Sequence, residues 1–250
     1  MSERPHTPSR MSARRIAIMQ PYFFPYAGYF RLLAHVDQFV ILDCVQFPRT
    51  GRVHRSEVAR NGKPSDWLTL PLARQHRSTL IHELAFATQA RASLDERLAS
   101  LPWFRTAHGP AAARVRSYLQ GPMGSVVDFL QQGLELVARE LGLSTPVCRS
   151  SSFAIPVDLR GQDRILAIAR SAGASIYLNA PGGRDLYDPL VFRRAGIELE
   201  FLGDYSGEFI HLLPSLMQRD PADIARDIHP DSLARTQTIP APTFVRSADQ

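Results

Sequence analysis

The stretch from Arg15 to Arg55 places the tightest constraint on what this chain can fold into. A short apolar run, Ile16-Ala17-Ile18-Met19, is stopped by Gln20-Pro21 and followed by an aromatic loop, Tyr22-Phe23-Phe24-Pro25-Tyr26. Gly28 opens an amphipathic segment in which Phe30, Leu32, Leu33 and Val36 share a helical face. A second apolar run, Phe39 to Leu42, ends on Asp43, with Gln46 three residues later. Strand, loop, helix and strand in that order make a βαβ unit. Short, continuously apolar runs suit central parallel strands covered on both faces. In open parallel sheets ligands gather beyond the carboxyl ends of the strands. The polar residues of this stretch collect there.

The loop between the two runs is chemically unusual. Its prolines fix φ and disfavour helix, so the backbone is stiff and extended. Its aromatic residues either plug one end of the sheet or form a wall beside a ligand. In the second case Gln20 supplies an amide that both donates and accepts. Gly28 allows close backbone approach at a helix start, where free N–H groups attract anions. Asp43, at a strand end, can act as a base, a metal ligand or an anchor for an amine, or can cap the following turn.

Further along, Pro48 to Arg60 carries Arg49, Arg52, Arg55 and Arg60 and reads as a basic loop. Arginine is the side chain suited to a bidentate grip on phosphate. Trp67 to Leu72 reads as a strand, and Ala73 to Thr79 as a polar loop whose Arg74, His76 and Arg77 can add to a phosphate site. Leu80 to Phe86 alternates and reads as another strand. Residues 88–143 have helical periodicity, ended by Gly142. They are expected to form a helical insertion or cap over the sheet's carboxyl edge, with Trp103, Phe104 and Tyr118 in its core.

The second half returns to α/β. Pro146 to Arg149 is a short strand leading into Ser150-Ser151-Ser152, Gly161 to Ala172 a helix, and Ser175 to Leu178 a strand. Asn179 to Arg184 forms a glycine-rich turn able to cradle phosphate or carboxylate, without the Gly-Lys-Ser/Thr ending of a P-loop. Glu198 to Leu202 is a strand, and a helix is expected around Leu212 to Arg219. The predicted organisation is a disordered tail (1–14), a first α/β half (15–87), the helical insertion (88–145), a second α/β half with a C-terminal helix (146–240) and a tail (241–250). Residues 15–240 then form one composite domain with a Rossmann-like, mostly parallel sheet.

Composition narrows the function classes. The net charge is +5, and Lys63 is the single lysine among 29 basic residues. An arginine surplus reflects either the base composition of a genome or an anionic partner such as a phosphate or RNA. The two cysteines, Cys44 and Cys148, make neither a disulfide framework nor a metal set. No zinc-ligand spacing, dinucleotide fingerprint or nucleophile elbow is present. A carboxylate neighbour works against Cys44 as a thiolate nucleophile. No apolar run approaches a membrane span and the start lacks the core of a signal peptide, so a cytoplasmic protein is expected.

Several of these stretches together resemble one family. Gln20 to Phe30 (Q-P-Y-F-F-P-Y-A-G-Y-F), Val36 to Phe47, His54 to Val58 and Trp67 to Leu72 are similar to the recurrent wording of the WbqC-like proteins. The likeness resumes at Ser150 to Ser152, Gly161 to Tyr187 and Phe192 to Phe201, and so covers most of residues 15 to 217. Members occur with surface-polysaccharide genes. The resemblance implies transfer of glycine or another small amino acid onto an amino sugar. Arg55 matches the arginine of the family's N-R-N element, flanked here by His54 and Ser56. Cys44 stands where a second acid is usual. These departures leave a different donor or acceptor open.

The first unit also resembles, more faintly, the nucleotidyl-transferase type of Rossmann-like fold. Tyr26-Ala27-Gly28-Tyr29 occupies the place of that group's paired histidines. Without imidazoles there, local stabilisation of a pentavalent phosphate is missing. Three readings follow: an aminoacyl transferase with aminoacyl-tRNA or an ATP-derived adenylate as donor, an ATP-dependent amide ligase, or a non-catalytic sugar-nucleotide or RNA-binding protein. The residues expected to serve are Asp43 as the catalytic group, with Gln20, Tyr22, Tyr26, Tyr29, Gln46, Arg55, Ser151, Ser152, Arg164, Asn179, Gly182 and Gly183 binding substrate. No metal is expected.

Overall fold

The computed structural model describes residues 13–60, 63–228 and 237–238. The two expected tails, apart from Ala13 and Arg14, lie outside the described residues.

The fold begins where the sequence is most apolar. β1 (Arg15–Met19) is buried over its middle three residues and takes parallel partners on both sides. α1 (Ala27–Ala34) leads to β2 (Gln38–Ile41), which aligns with β1 from Ile16 opposite Gln38 to Met19 opposite Ile41. An antiparallel hairpin follows, β3 (Arg55–Arg60) and β4 (Lys63–Thr69). Four helices come next: α2 (Ala90–Ala99), α3 (Pro102–Thr106), α4 (Pro110–Leu119) and α5 (Val126–Glu140). The chain then re-enters the main sheet as β5 (Val147–Arg149). After α6 (Gly161–Ser171) come β6 (Ile176–Asn179), α7 (Pro189–Arg194) and β7 (Glu198–Phe201). α8 (Leu212–Gln218), α9 (Pro221–Ile228) and the two-residue β8 (Gln237–Thr238) complete the described chain.

The main sheet has the order β5-β2-β1-β6-β7-β8, parallel except for β8. The order of the five parallel strands reverses between β1 and β6, as in doubly wound nucleotide-binding sheets. The expected α/β fold with a mostly parallel sheet is the one adopted. Alternation along the strands divides the core in two. Ala17, Phe39 and Ile41 pack with α1, the hairpin and helices α2 to α5, whereas Ile16, Ile18 and Val40 pack with α6, α7, Tyr177 and Phe201. Each large apolar side chain so buried contributes about 1.5–3 kcal/mol.

Local chemistry sets the ends of α5. The Ser125 hydroxyl accepts from the Asp128 N–H at 3.1 Å, a standard N-cap. Gly142, at φ +73°, turns the chain out at the other end, where the Leu143 N–H reaches back to the Ala138 carbonyl at 2.8 Å.

Three sequence expectations are corrected. Leu80 to Phe86 is not a strand: Ile81–Glu83 form a 3-10 turn, flanked by single bridges to Gln46 and Leu72. The N–H groups of Ile81 and His82 go instead to the carbonyls of Val45 and Asp43. Part of the supposed basic loop is strand β3, whose buried side chains are Ser56 and Val58. Its mixed polarity hides the alternation. α9 was not anticipated, although Asp220 caps it by accepting from the Ala222 N–H at 2.9 Å and Pro221 starts it. Among the described residues, no helix is long and apolar enough to cross a membrane.

Candidate functional site

The strand register sets β2 and β5 ending side by side, with Ile41 opposite Arg149. Asp43 and Ser150-Ser151 therefore meet just beyond the sheet. Asp43 has no exposed surface. Its Oδ1 accepts from the Ser150 hydroxyl and the Ser151 N–H, both at 2.8 Å, and its Oδ2 accepts from the Ser151 hydroxyl at 2.6 Å. Ser150 Oγ in turn accepts from the N–H groups of Asp43 (3.0 Å) and Cys44 (3.2 Å). A buried carboxylate needs such donors, since an unpaired one is costly. This one locks two strand ends together.

Above Asp43 lies a cleft of about 750 Å³, walled by Cys44, Gln46, Ser78, His82, Ser151, Phe153 and Arg164, among others. Ser151 is exposed to it while its hydroxyl stays bonded to Asp43. The Asp43 carbonyl accepts from both the N–H and Nδ1 of His82 at 3.1 Å. A carbonyl can only accept, so Nδ1 is the donor in this bond and Nε2 is the ring nitrogen not used in it. Arg164, 8% exposed, donates to the carbonyls of Leu159 (2.8 Å), Cys44 (2.9 Å) and Val157 (3.0 Å), and lies 3.3 Å from the Cys44 sulfur. None of these partners is a carboxylate.

Of the residues expected from sequence, Gln46, Ser151 and Arg164 share this cleft with Asp43 beneath them. Gln46 also donates from Nε2 to the Arg77 carbonyl at 2.8 Å. Ser152 is adjacent but turns away, its hydroxyl donating to the Arg149 carbonyl at 2.6 Å. His82 and Ser150 join the site without a distinct signal in the sequence. His82 was hidden in a stretch read as strand, and only its Leu80-to-Glu83 spacing hints at a local turn.

A second group lies beyond β1 and β6. There the Tyr29 hydroxyl donates to the Gln20 carbonyl at 2.8 Å, and Tyr29 is buried. Phe23 and Phe24 are buried too, Phe24 at φ +42° with its carbonyl accepting from the Ser56 hydroxyl at 2.8 Å. Left-handed backbone is uncommon for a bulky residue; here it turns the loop under the β3–β4 hairpin. Tyr22 and Tyr26 stay half-buried, with rings 5.5 Å from Tyr29 and 5.6 Å from Tyr205 respectively. Burial pushes both phenols above their usual range. Gly28 is needed because a Cβ would meet the Tyr26 ring at 2.2 Å and Tyr205 at 2.8 Å. Asn179 is buried, its Oδ1 accepting from the Ala180 N–H at 2.8 Å, and a Cβ on Gly183 would meet its Nδ2 at 2.1 Å. Gly182 is open and exposed. Arg31 pins the loop after β7 by donating to the carbonyls of Gly203 (3.1 Å) and Asp204 (3.2 Å).

Arg55 joins neither group. Its guanidinium lies 4.3 Å over the Trp67 ring and donates to the carbonyls of Gly51 and Thr50. Arg52 shares that ring at 5.1 Å and pairs with Glu57 at 2.9 Å.

The chain is 25% identical over 200 residues to the uncharacterized protein Rv1507c of Mycobacterium tuberculosis, covering 78% of this chain and 84% of that protein. No solved structure matches it. Residues 20–209, which run from the end of β1 to the loop before α8 and include every residue of both groups, match the WbqC-like protein family. The chain therefore belongs to the WbqC-like protein family.

Proposed function

We propose that the cleft beyond β2 and β5 carries transfer of a small acyl or aminoacyl group, glycine in the first instance, onto the amine of a nucleotide-linked amino sugar. The observation that carries this reading is that Ser151 and His82 are both held by Asp43 on the wall of one polar cleft. The amine nitrogen attacks the carbonyl carbon of an activated donor, the bond from that carbon to its leaving oxygen breaks, and the nitrogen's proton passes to Nε2 of His82. His82 then returns that proton to the leaving oxygen. Asp43 touches no substrate. It is a positioning residue, aligning Ser151 through its carboxylate and His82 through its carbonyl. Gln46 and Ser151 suit the hydroxyl groups of a sugar, and Phe153 its apolar face. The donor is an aminoacyl-tRNA ester or an adenylate formed from ATP.

The test is amide formation, followed by mass spectrometry, from UDP-glucosamine with either glycyl-tRNA or glycine plus ATP. His82→Ala should lower kcat by about 10²–10⁴ with little change in KM, and added imidazole should restore part of it. Asp43→Asn keeps the shape but sets an N–H₂ against Ser151, reversing that hydroxyl from donor to acceptor. Ser151 meets the sugar, whereas His82 is held by the main-chain carbonyl that this change leaves in place, so KM for UDP-glucosamine should rise with kcat largely kept. Full kcat in His82→Ala removes the base, and an unchanged KM in Asp43→Asn removes the positioning role. Binding in the cleft without product from any donor leaves the protein a sugar-nucleotide binder.

A further inference from the structure

Five of the arginines of residues 48–79 fall into two sets. Arg52 and Arg55 are engaged on Trp67, Glu57 and backbone carbonyls. Arg49, Arg74 and Arg77 are exposed, and among the described residues none of them makes an ion pair. These three, with Gln75 and His76, line a hollow of about 590 Å³ whose wall contains no carboxylate. Three exposed arginines lining one hollow make a positive surface that attracts an anion.

The hollow is also pre-arranged. Arg49 donates from Nη2 to the Gln75 carbonyl at 2.9 Å, the Phe47 N–H bonds the Thr79 carbonyl at 2.9 Å, and Gln46 holds the Arg77 carbonyl. His76 Nδ1 lies 2.8 Å from the Ser78 hydroxyl. Gln46 and Ser78 are wall residues of the cleft next door. Arg77 on the hollow and Ser78 on the cleft are consecutive, so the basic hollow adjoins the cleft that His82 and Ser151 line.

We infer that Arg49, Arg74 and Arg77 form the diphosphate subsite of the acceptor, so that the acceptor is a nucleoside-diphosphate amino sugar. This rests on the transferase reading of the adjoining cleft. A diphosphate presents several oxygens to planar guanidinium forks, which match them two at a time. In such a sugar the ring alone stands between the diphosphate and the amine. That suits a hollow and a cleft lined by the consecutive residues Arg77 and Ser78. Arg55, stacked on Trp67, lies outside this set.

The experiment is titration calorimetry on the full chain at fixed ionic strength, with inorganic pyrophosphate, UDP, UDP-glucosamine and a short single-stranded RNA as probes. Arg74→Gln/Arg77→Gln is compared with the unchanged protein and with Arg226→Gln, remote on α9, as control. UDP and UDP-glucosamine should bind at least tenfold more weakly to the double variant and equally to the control, with binding that weakens as salt rises. Unchanged UDP affinity in the double variant, or no binding of pyrophosphate and UDP to the unchanged protein, overturns the subsite. RNA binding tighter than UDP and lost in the double variant overturns it in favour of a nucleic-acid surface. If the UDP result is as expected and no amide forms in the turnover assay, the subsite stands and the transferase reading alone fails.

Discussion

The carboxyl edge of the sheet ends in two different ways. Beyond β1 and β6, where the strand order reverses and doubly wound sheets usually receive ligands, the chain's own side chains crowd in. Tyr29 bonds the Gln20 carbonyl, Tyr205 lies against Gly28, and Asn179 lies against Gly183. One strand over, beyond β2 and β5, small residues follow the strands. Cys44, Ser150 and Ser151 leave a cleft with a carboxylate sealed beneath it. Topology selects the edge; side-chain size selects which part of the edge opens.

The largest effect on this contrast should come from removing the seal. Asp43→Ala strands the Ser150 and Ser151 donors in a buried place and should cost on the order of 3 kcal/mol, read as a lower urea midpoint at unchanged slope. A destabilisation within experimental scatter would mean that Asp43 does not tie β2 to β5. On the crowded side, Gly183→Ala forces a Cβ against Asn179 and should cost about 1–3 kcal/mol. Gly182→Ala, with nothing within 4 Å of its Cβ, should stay within about 0.5 kcal/mol of the parent. Equal effects at the two glycines would show that the crevice is less filled than described.

The smallest effect is one of pH on the flank of the open side. His54 packs edge-on to Phe47 at 5.1 Å with Nδ1 buried and unpartnered. Burial first, and then the Arg55 charge, hold its pKa below the usual 6.5. As pH falls through 6.5 the unfolded chain takes up this proton before the folded one does, so stability declines from there down to the folded pKa. His54→Gln should flatten the fall in Tm between about pH 7.5 and 5.5. An identical pH profile in the variant would place the titration elsewhere.

Much of this architecture is readable from the chain alone, for physical reasons. β1, β2 and β6 are short runs buried on both faces, and such runs advertise themselves as largely apolar segments. β3 does not, because Arg55 and Glu57 point one way while the buried residues on the other face are Ser56 and Val58. Leu80 to Phe86 misleads in the opposite sense. It alternates like a strand, yet its N–H groups are taken by carbonyls of Asp43 and Val45, distant in sequence. That same capture brings His82 to Asp43, so the error about the element and the omission of the histidine have one cause. Asp43, Gln46, Ser151 and Arg164 could be singled out because they follow strands or open a helix. Which arginines stack on Trp67 could not, since that stacking depends on a hairpin whose first strand reads as loop.

The most direct test of the whole account is a crystal structure of the protein soaked with UDP-glucosamine. The account predicts the amine within hydrogen-bond reach of His82 Nε2, the sugar hydroxyls on Gln46 and Ser151, and the diphosphate between Arg49, Arg74 and Arg77. A sugar nucleotide seated instead between Tyr22, Asn179 and Gly182, at the reversal of the strand order, would contradict it.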